Sequence, residues 1–89
     1  MNVDLWIDER GRRCPIPVIS LARAQTTWFR DDIGVDEVVG MLADDPAAEY
    51  DIPAWCRLKG AEFLGSVNPP DGGSGMGYVV RFSASKHAA

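Results

Sequence analysis

The stretch DERGRRCPIPVIS, residues 8–20, carries the change from strand to helix on which the fold depends. A residue that precedes proline is disfavoured in helical conformation, so Cys14 and Ile16 are both biased toward extended backbone. Proline itself is favoured at the first helical position, where its missing N–H would have no partner anyway. The segment therefore predicts a helix that begins abruptly at Pro15 or Pro17, directly after the cysteine.

The sequence on either side of this junction alternates strand and helix patterns. Residues 3–8, VDLWID, alternate apolar and polar side chains with the period of a half-buried strand. Apolar residues then recur at helical spacing as far as Arg30, where the first helix is expected to end. Further strands are predicted at 35–43, 61–68 and 77–84, the first of them central in the sheet, and a second helix at 47–60.

The second helix contains a proline that limits where it can start. Proline costs about 3 kcal/mol in a helix interior but little in the first turn, so Pro53 places the expected start near Asp51 or Ile52. Lys59 and Gly60 suit the helix end, through the helix dipole and a left-handed cap respectively. A loose turn is expected before the regular helix.

The order β-α-β-α-β-β predicts an α/β (α+β) two-layer sandwich, with one small mixed four-stranded sheet and two helices on one face. A chain of 89 residues is expected to form a single domain, 1–89. Residues from about 3 to 84 should be ordered, and 85–89 should be a flexible tail. PPDGGSGM, 69–76, is typical of a mobile loop between strands.

The charge of the chain is acidic and unevenly distributed. The net charge is −4, yet residues 1–30 hold five arginines and three acids, whereas 31–65 hold nine acids and two bases. This balance argues against nucleic acid or an anionic membrane as a partner and favours steering of an acidic protein. There is no membrane-length apolar run and no signal-peptide pattern, so we expect a cytoplasmic protein.

Cys14 is the candidate reactive residue. At the start of a helix its thiolate would be favoured by unpaired N–H groups, and Arg10, Arg12 and Arg13 would add positive charge, so a lowered thiol pKa is expected. The alternative from the residues alone is a small buried cysteine beside solvated loop arginines. No cofactor and no metal site are expected, because His87 is the only histidine and lies in the tail.

Cys56 has two readings. A buried structural cysteine is favoured, since it stands beside Trp55 in the second helix. The alternative function for the chain is a regulatory or interaction module with a Cys14–Cys56 disulfide as a redox switch, which would need the two Cα atoms within about 7 Å. A small RNA-binding domain is a third reading, disfavoured by the acidic charge.

Two segments together resemble the TusA-like sulfur-carrier family. They are LWIDERGRRCPIPVISLARA, with its CPxP motif after a first strand, and LADDPAAEYDIPAWCRLKGAEFL, with an aspartate-proline segment before a second helix. The resemblance extends from about Leu5 to Phe82. It implies the same two-layer sandwich, and a CPxP cysteine that accepts a sulfane sulfur as a persulfide and passes it on.

Carried onto this chain, the resemblance makes Cys14 the acceptor, with Pro15 and Pro17 fixing the helix that presents it and Gly11 as the family's loop glycine. The second segment is matched by Asp45, Pro46, Asp51, Ile52 and Pro53, which have no assigned chemical step. We interpret Asp44 and Asp45 mainly as capping the turn and the start of the helix, with a secondary role in shaping the surface around Cys14.

The resemblance also implies partners. A cysteine desulfurase or rhodanese-like protein would donate the sulfur, and an acceptor protein would take it, so the chain would be a carrier rather than a stand-alone enzyme. Since a carrier must meet two partners, we expect a monomer. Transfer RNA thiolation, cofactor biosynthesis, sulfur oxidation and selenium handling all remain open as destinations. Arg12 stands where the family usually has an apolar residue, which bears on the choice of partner.

Overall fold

The secondary-structure elements follow the predicted order. The computed structural model describes residues 3–13, 16–25 and 36–83. The elements are β1 (Leu5–Asp8), α1 (Ile16–Arg23), β2 (Glu37–Ala43), α2 (Ala48–Lys59), β3 (Glu62–Val67) and β4 (Met76–Phe82). The predicted end of the first helix, residues 26–30, and the predicted tail with His87 lie outside the described residues.

The four strands form one mixed sheet. Their order is β1-β2-β4-β3, in which β1 runs parallel to β2 while β4 is antiparallel to both of its neighbours. The prediction that the second strand is central is confirmed, because β2 lies between β1 and β4. The parallel pair requires a crossover, which contains α1.

Both helices pack on the same face of the sheet. They contact each other. In addition, α1 contacts β2, and α2 contacts β3 and β4. The core between the layers includes Leu21, Val39, Met41, Ile52, Trp55, Val80 and Phe82. Trp55 of α2 meets Phe82 of β4 edge to face, with ring centroids 6.2 Å apart. The predicted two-layer sandwich is thus confirmed.

The expected start of the second helix is wrong. The helix begins at Ala48 and continues through Pro53, whereas we expected it to start near Asp51. The cost of an internal proline, about 3 kcal/mol, is offset by burial of apolar side chains at about 1.5–3 kcal/mol each. The buried residues of α2 are Ala48, Ile52, Trp55 and Cys56.

The end of this helix agrees with the prediction. Gly60 adopts a left-handed conformation, with φ of 73°, and its N–H donates to the Cys56 carbonyl. The N–H of Ala61 donates to the same carbonyl at 2.9 Å. A side chain with a Cβ is strained at such a φ, which explains the glycine.

Trp6 lies on the face of the sheet opposite the helices. Its neighbours Leu5 and Ile7 pack against the core, and successive side chains of a strand alternate between faces. The indole lies against Gly40 and Gly77: a Cβ added to Gly40 would be 2.4 Å from Cζ3 of Trp6, and one added to Gly77 would be 3.0 Å from the same atom. The two glycines leave the space that the ring occupies.

We predict that Gly40→Ala destabilises the protein by about 1–3 kcal/mol, because the new methyl group overlaps the Trp6 ring. The free energy of unfolding in urea measures the effect. In a Trp6→Ala background the same substitution should cost much less, since the overlap is gone. An equal cost in both backgrounds would show that Trp6 is not the reason for glycine at this position.

Candidate functional site

The residues that flank Cys14 define the candidate site, since Cys14 and Pro15 themselves lie outside the described residues. The N–H of Ile16 donates to the carbonyl of Arg13 at 2.9 Å, so the chain on the two sides of the cysteine is joined by a hydrogen bond. Ile16 is the first residue of α1, and Pro17 is buried at the second position. The helix is thus present from Ile16, between the two prolines at which we expected it to begin.

The bias of Ile16 toward extended backbone is not realised. Ile16 is helical although it precedes a proline. At the second position of a helix the missing N–H of Pro17 leaves no intrahelical hydrogen bond unmade, and its burial adds apolar contact. Position in the first turn therefore outweighs the local preference.

Residues 9–13 form the described part of the loop between β1 and α1, which we call the Cys14 loop. Gly11 connects this loop to the turn that follows β2. Its φ is 85°, a left-handed conformation that favours glycine. Its N–H donates to both carboxylate oxygens of Asp44, at 2.9 and 3.0 Å. Asp44 therefore does not cap its own turn, as we had interpreted it; it bonds across to the loop before the cysteine.

Asp45 closes the turn before α2. Its Oδ1 accepts the N–H of Ala47 at 3.0 Å, and its carbonyl accepts the N–H of Ala48 at 3.0 Å. The N-cap residue is Ala47, which makes no side-chain capping bond. The two adjacent aspartates thus have different roles: Asp45 shapes the local turn and Asp44 reaches the Cys14 loop.

Arg10 is held by carboxylates. Its Nη2 lies 2.8 Å from Asp8 and 2.8 Å from Asp71, and its Nη1 donates to the Ser74 carbonyl at 3.3 Å. Only 18% of the side chain is exposed. Arg10 therefore fastens the loop between β3 and β4, which we predicted to be mobile, and its charge is matched by two acids.

Arg12 and Arg13 present their charge to solvent. Arg12 is 65% exposed, and its Nε lies 3.0 Å from Oε1 of Glu9. Arg13 is exposed and makes no ion pair within the described part of the chain. Of the three arginines expected to surround the thiol, these two are the ones available to a partner.

An open cleft of about 340 Å³ lies beside the Cys14 loop. Gly11, Arg12 and Arg13 line one side of it, and residues 44–46 line the other. A second cleft shares residues 44–46 and extends to Tyr50 and Met76. The first cleft is lined by charged groups, whereas a small-molecule pocket is usually lined mostly by apolar ones. Its chemistry suits the surface of another protein.

The remaining residues of the second segment lie away from this cleft. Asp51 is exposed on α2 and lines a separate apolar groove with Val18, Trp55 and Leu58. Pro53 is half-buried within the same helix. Neither residue contributes to the cleft beside Cys14.

Cys56 is a core residue. Its side chain is 1% exposed, and burial raises the pKa of its thiol to about 11. A thiol of that pKa is almost fully protonated at neutral pH and is therefore a weak nucleophile. This environment supports the structural reading of Cys56 and weakens the disulfide switch.

Sequence reasoning missed three acids, of which Asp8 pairs with the nearby Arg10. Glu9 pairs with Arg12, and Asp71 pairs with Arg10 across 61 positions of sequence. The excess of arginine in residues 8–13 is a signal that acidic partners exist. It does not say which acids they are, because the Arg10–Asp71 contact depends on the tertiary fold and the Glu9–Arg12 pair depends on the conformation of the loop.

The described residues contain neither a group suited to a metal ion nor a helix suited to a membrane. Across 3–13, 16–25 and 36–83, no group of three or more His, Cys, Asp or Glu side chains is placed to hold a metal ion. No helix in those ranges has the length and apolar character needed to cross a membrane.

We predict that the Arg10 ion pairs make stability depend on acid pH. Hydrogen bonds from Arg10 lower the pKa of Asp8 from 3.8 to about 2, and they also lower the pKa of Asp71. A lowered carboxyl pKa contributes stability above its unfolded value, and this is lost as pH falls through the folded value. Between pH 5 and 2, wild type should therefore lose more stability than Arg10→Gln.

Urea unfolding at a series of pH values makes this comparison. Arg81→Gln is the matched control, because it removes an exposed ion pair with Glu62 at the end of the β3–β4 pair that is remote from Asp71. This variant should keep the wild-type loss attributed to Asp8 and Asp71. Identical pH profiles for Arg10→Gln and wild type would contradict the prediction.

Comparison with known proteins places the chain among sulfur-transfer proteins. The family model described as "Sulfurtransferase TusA" matches residues 6–80. A protein of Archaeoglobus fulgidus is 37% identical over 76 residues, which cover 85% of this chain and 84% of that protein. A protein of Bacillus subtilis is 29% identical over 66 residues, which cover 74% of this chain but 33% of that protein. Both are named "Putative sulfur carrier protein", the second with the addition YrkF.

Proposed function

This chain belongs to the TusA sulfurtransferase family, and we propose that it is a sulfur carrier that accepts a sulfane sulfur as a persulfide on Cys14 and relays it to an acceptor protein. The observation that carries the proposal is the surroundings of that position in the chain. Cys14 stands between an exposed, cationic loop and the first residue of α1, whose N–H bonds back to Arg13.

These surroundings favour an ionised thiol. The N-terminus of a helix stabilises negative charge, and a neighbouring cation lowers the pKa of a cysteine. Arg12 and Arg13, the residues directly before Cys14, are both exposed. Arg10 adds little to this effect, because Asp8 and Asp71 balance its charge. We assign Arg10 to holding the loop and Arg12 and Arg13 to the electrostatics.

The transfer needs no cofactor or external oxidant. The Cys14 thiolate attacks the outer sulfur of a donor persulfide, the new S–S bond forms on Cys14, and the donor's own S–S bond breaks. The donor leaves as a thiolate, and the transferred sulfur keeps its proton. In the second transfer an acceptor thiolate attacks the outer sulfur on Cys14, so the Cys14 thiolate is regenerated.

The partners that fit are proteins. The cleft lined by Gly11, Arg12 and Arg13 is open and charged, and it is suited to docking rather than to enclosing a small substrate. The donor we favour is a cysteine desulfurase or a rhodanese-like protein, and the acceptor is an enzyme with its own cysteine. We place this relay in the cytoplasm and treat the carrier as a monomer. Transfer RNA thiolation is one destination for the sulfur, among several that the same chemistry serves.

We predict that the protein gains one sulfur atom on Cys14 when it is incubated with a cysteine desulfurase and cysteine. Whole-protein mass spectrometry detects the added mass, and reduction removes it. Cys14→Ser should gain nothing. Cys56→Ala is the matched control and should gain sulfur as wild type does, because Cys56 is buried and its thiol pKa is about 11.

Two outcomes would overturn the proposal. One is wild-type protein that stays unmodified with several desulfurases and rhodanese-like donors. The other is Cys14→Ser protein that still gains sulfur, which would place the acceptor elsewhere. Loss of the added sulfur in Cys56→Ala, with the fold retained, would favour a role for the second thiol instead.

A further inference from the structure

Glu9 makes contacts with three parts of the fold: β2, the loop before Cys14 and α1. Its N–H donates to the Leu42 carbonyl of β2 at 2.9 Å, and its carbonyl accepts the N–H of Arg12 at 3.2 Å. Its Oε1 lies 3.0 Å from Nε of Arg12, and its Oε2 accepts the hydroxyl of Ser20 at 2.5 Å. Glu9 thus connects the end of β2, the Cys14 loop and α1.

The burial of this carboxylate shows that the contacts are specific. Only 17% of the Glu9 side chain is exposed, although it carries a charge. A carboxylate shielded from water must be paired or hydrogen-bonded, and here each oxygen has a partner from a different element. Arg12, by contrast, is 65% exposed. The acid is therefore the fixed member of the pair.

The two partners of Glu9 lie on opposite sides of Cys14 in sequence. Arg12 precedes the cysteine by two residues, and Ser20 follows it by six, one helical turn beyond Ile16. A single carboxylate therefore spans the segment that contains Cys14. It also places the Arg12 guanidinium beside α1, since Ser20 belongs to that helix.

We propose that Glu9 is a positioning residue for Cys14: its carboxylate fastens the loop that carries the cysteine to α1, and it holds the Arg12 guanidinium beside that helix. The consequence for sulfur transfer rests on the proposed function, whereas the consequence for the acidity of the thiol does not. Glu9 acts in two ways. Its mechanical effect favours sulfur transfer, whereas its electrostatic effect makes the Cys14 thiol less acidic and so opposes transfer.

The electrostatic effect raises the pKa of Cys14. Glu9 is negative and offsets the charge of Arg12, so removing its charge leaves Arg12 as an uncompensated cation two residues before Cys14 in the chain. The mechanical effect favours transfer, since a fixed loop keeps the thiolate oriented for attack. Glu9→Gln should therefore make the Cys14 thiol more acidic and yet slow the transfer. Simple loosening of the fold would not make the thiol more acidic.

The first measurement is the pH dependence of Cys14 alkylation by iodoacetamide, followed by mass spectrometry of the Cys14 peptide. We expect the apparent thiol pKa to fall by about half a unit or more in Glu9→Gln. It should rise in Arg12→Gln, which removes the cation. It should be unchanged in Ser20→Ala, which removes only the hydroxyl.

The second measurement is the rate of sulfur transfer from a saturating donor desulfurase. Glu9→Gln and Ser20→Ala should both be slower, by about tenfold for Glu9→Gln. Ser20→Thr keeps the hydroxyl and should restore most of the rate. An unchanged thiol pKa in Glu9→Gln, or a transfer rate equal to wild type, would overturn the proposal.

The two measurements separate this proposal from the proposed function. If wild type forms no persulfide, the carrier function fails, while alkylation still tests the effect of Glu9 on the thiol. If wild type forms the persulfide and Glu9→Gln matches it in acidity and rate, only the role of Glu9 fails. Should Glu9→Gln not fold, as judged by circular dichroism, Arg12→Gln and the pair Ser20→Ala and Ser20→Thr decide the outcome.

Discussion

The parallel pairing of β1 with β2 is the constraint on which the rest of the structure depends. Parallel neighbours end at the same edge of a sheet, so the loop after β1 and the turn after β2 must lie side by side. The contact between Gly11 and Asp44, 33 residues apart, follows from this pairing. The same pairing requires a crossover, and α1 in that crossover begins directly after Cys14 and Pro15.

Charge around the Cys14 loop is allotted to distinct tasks. Arg10 has a structural role. Its ion pairs with Asp8 and Asp71 hold the side chain and the loop between β3 and β4 in place. Arg12 is shared between Glu9 and solvent, and Arg13 faces solvent. Similar side chains in one short run thus differ in what they offer a partner. The site consists of a held framework and a smaller exposed cationic part.

Local pattern predicted the order of the elements, through the alternation in β1, the helical spacing in α1 and the apolar run of β2. It failed at the start of α2, where Pro53 was weighed alone and the burial of Ile52 and Trp55 was not. It also failed for Asp44, since a preference for capping is local and the Gly11 N–H that binds this carboxylate comes from a distant loop. The alternation of residues 3–8 indicated a half-buried strand, but it could not show that the Trp6 ring lies against glycines of β2 and β4.

By itself the sequence determined the order of elements and the left-handed end of α2 at Gly60, because periodicity, proline and glycine act over a few residues. The CPxP motif together with the aspartate-proline segment likewise indicated the family. Only the tertiary structure decided which acids pair with Arg10 and Arg12 and which carboxylate binds Gly11. The Arg10–Asp71 and Gly11–Asp44 contacts join residues that are distant in sequence, and they form only when the sheet brings the loops together. Asp8 and Glu9 are close in sequence to Arg10 and Arg12, and the conformation of the loop decides which arginine each acid meets.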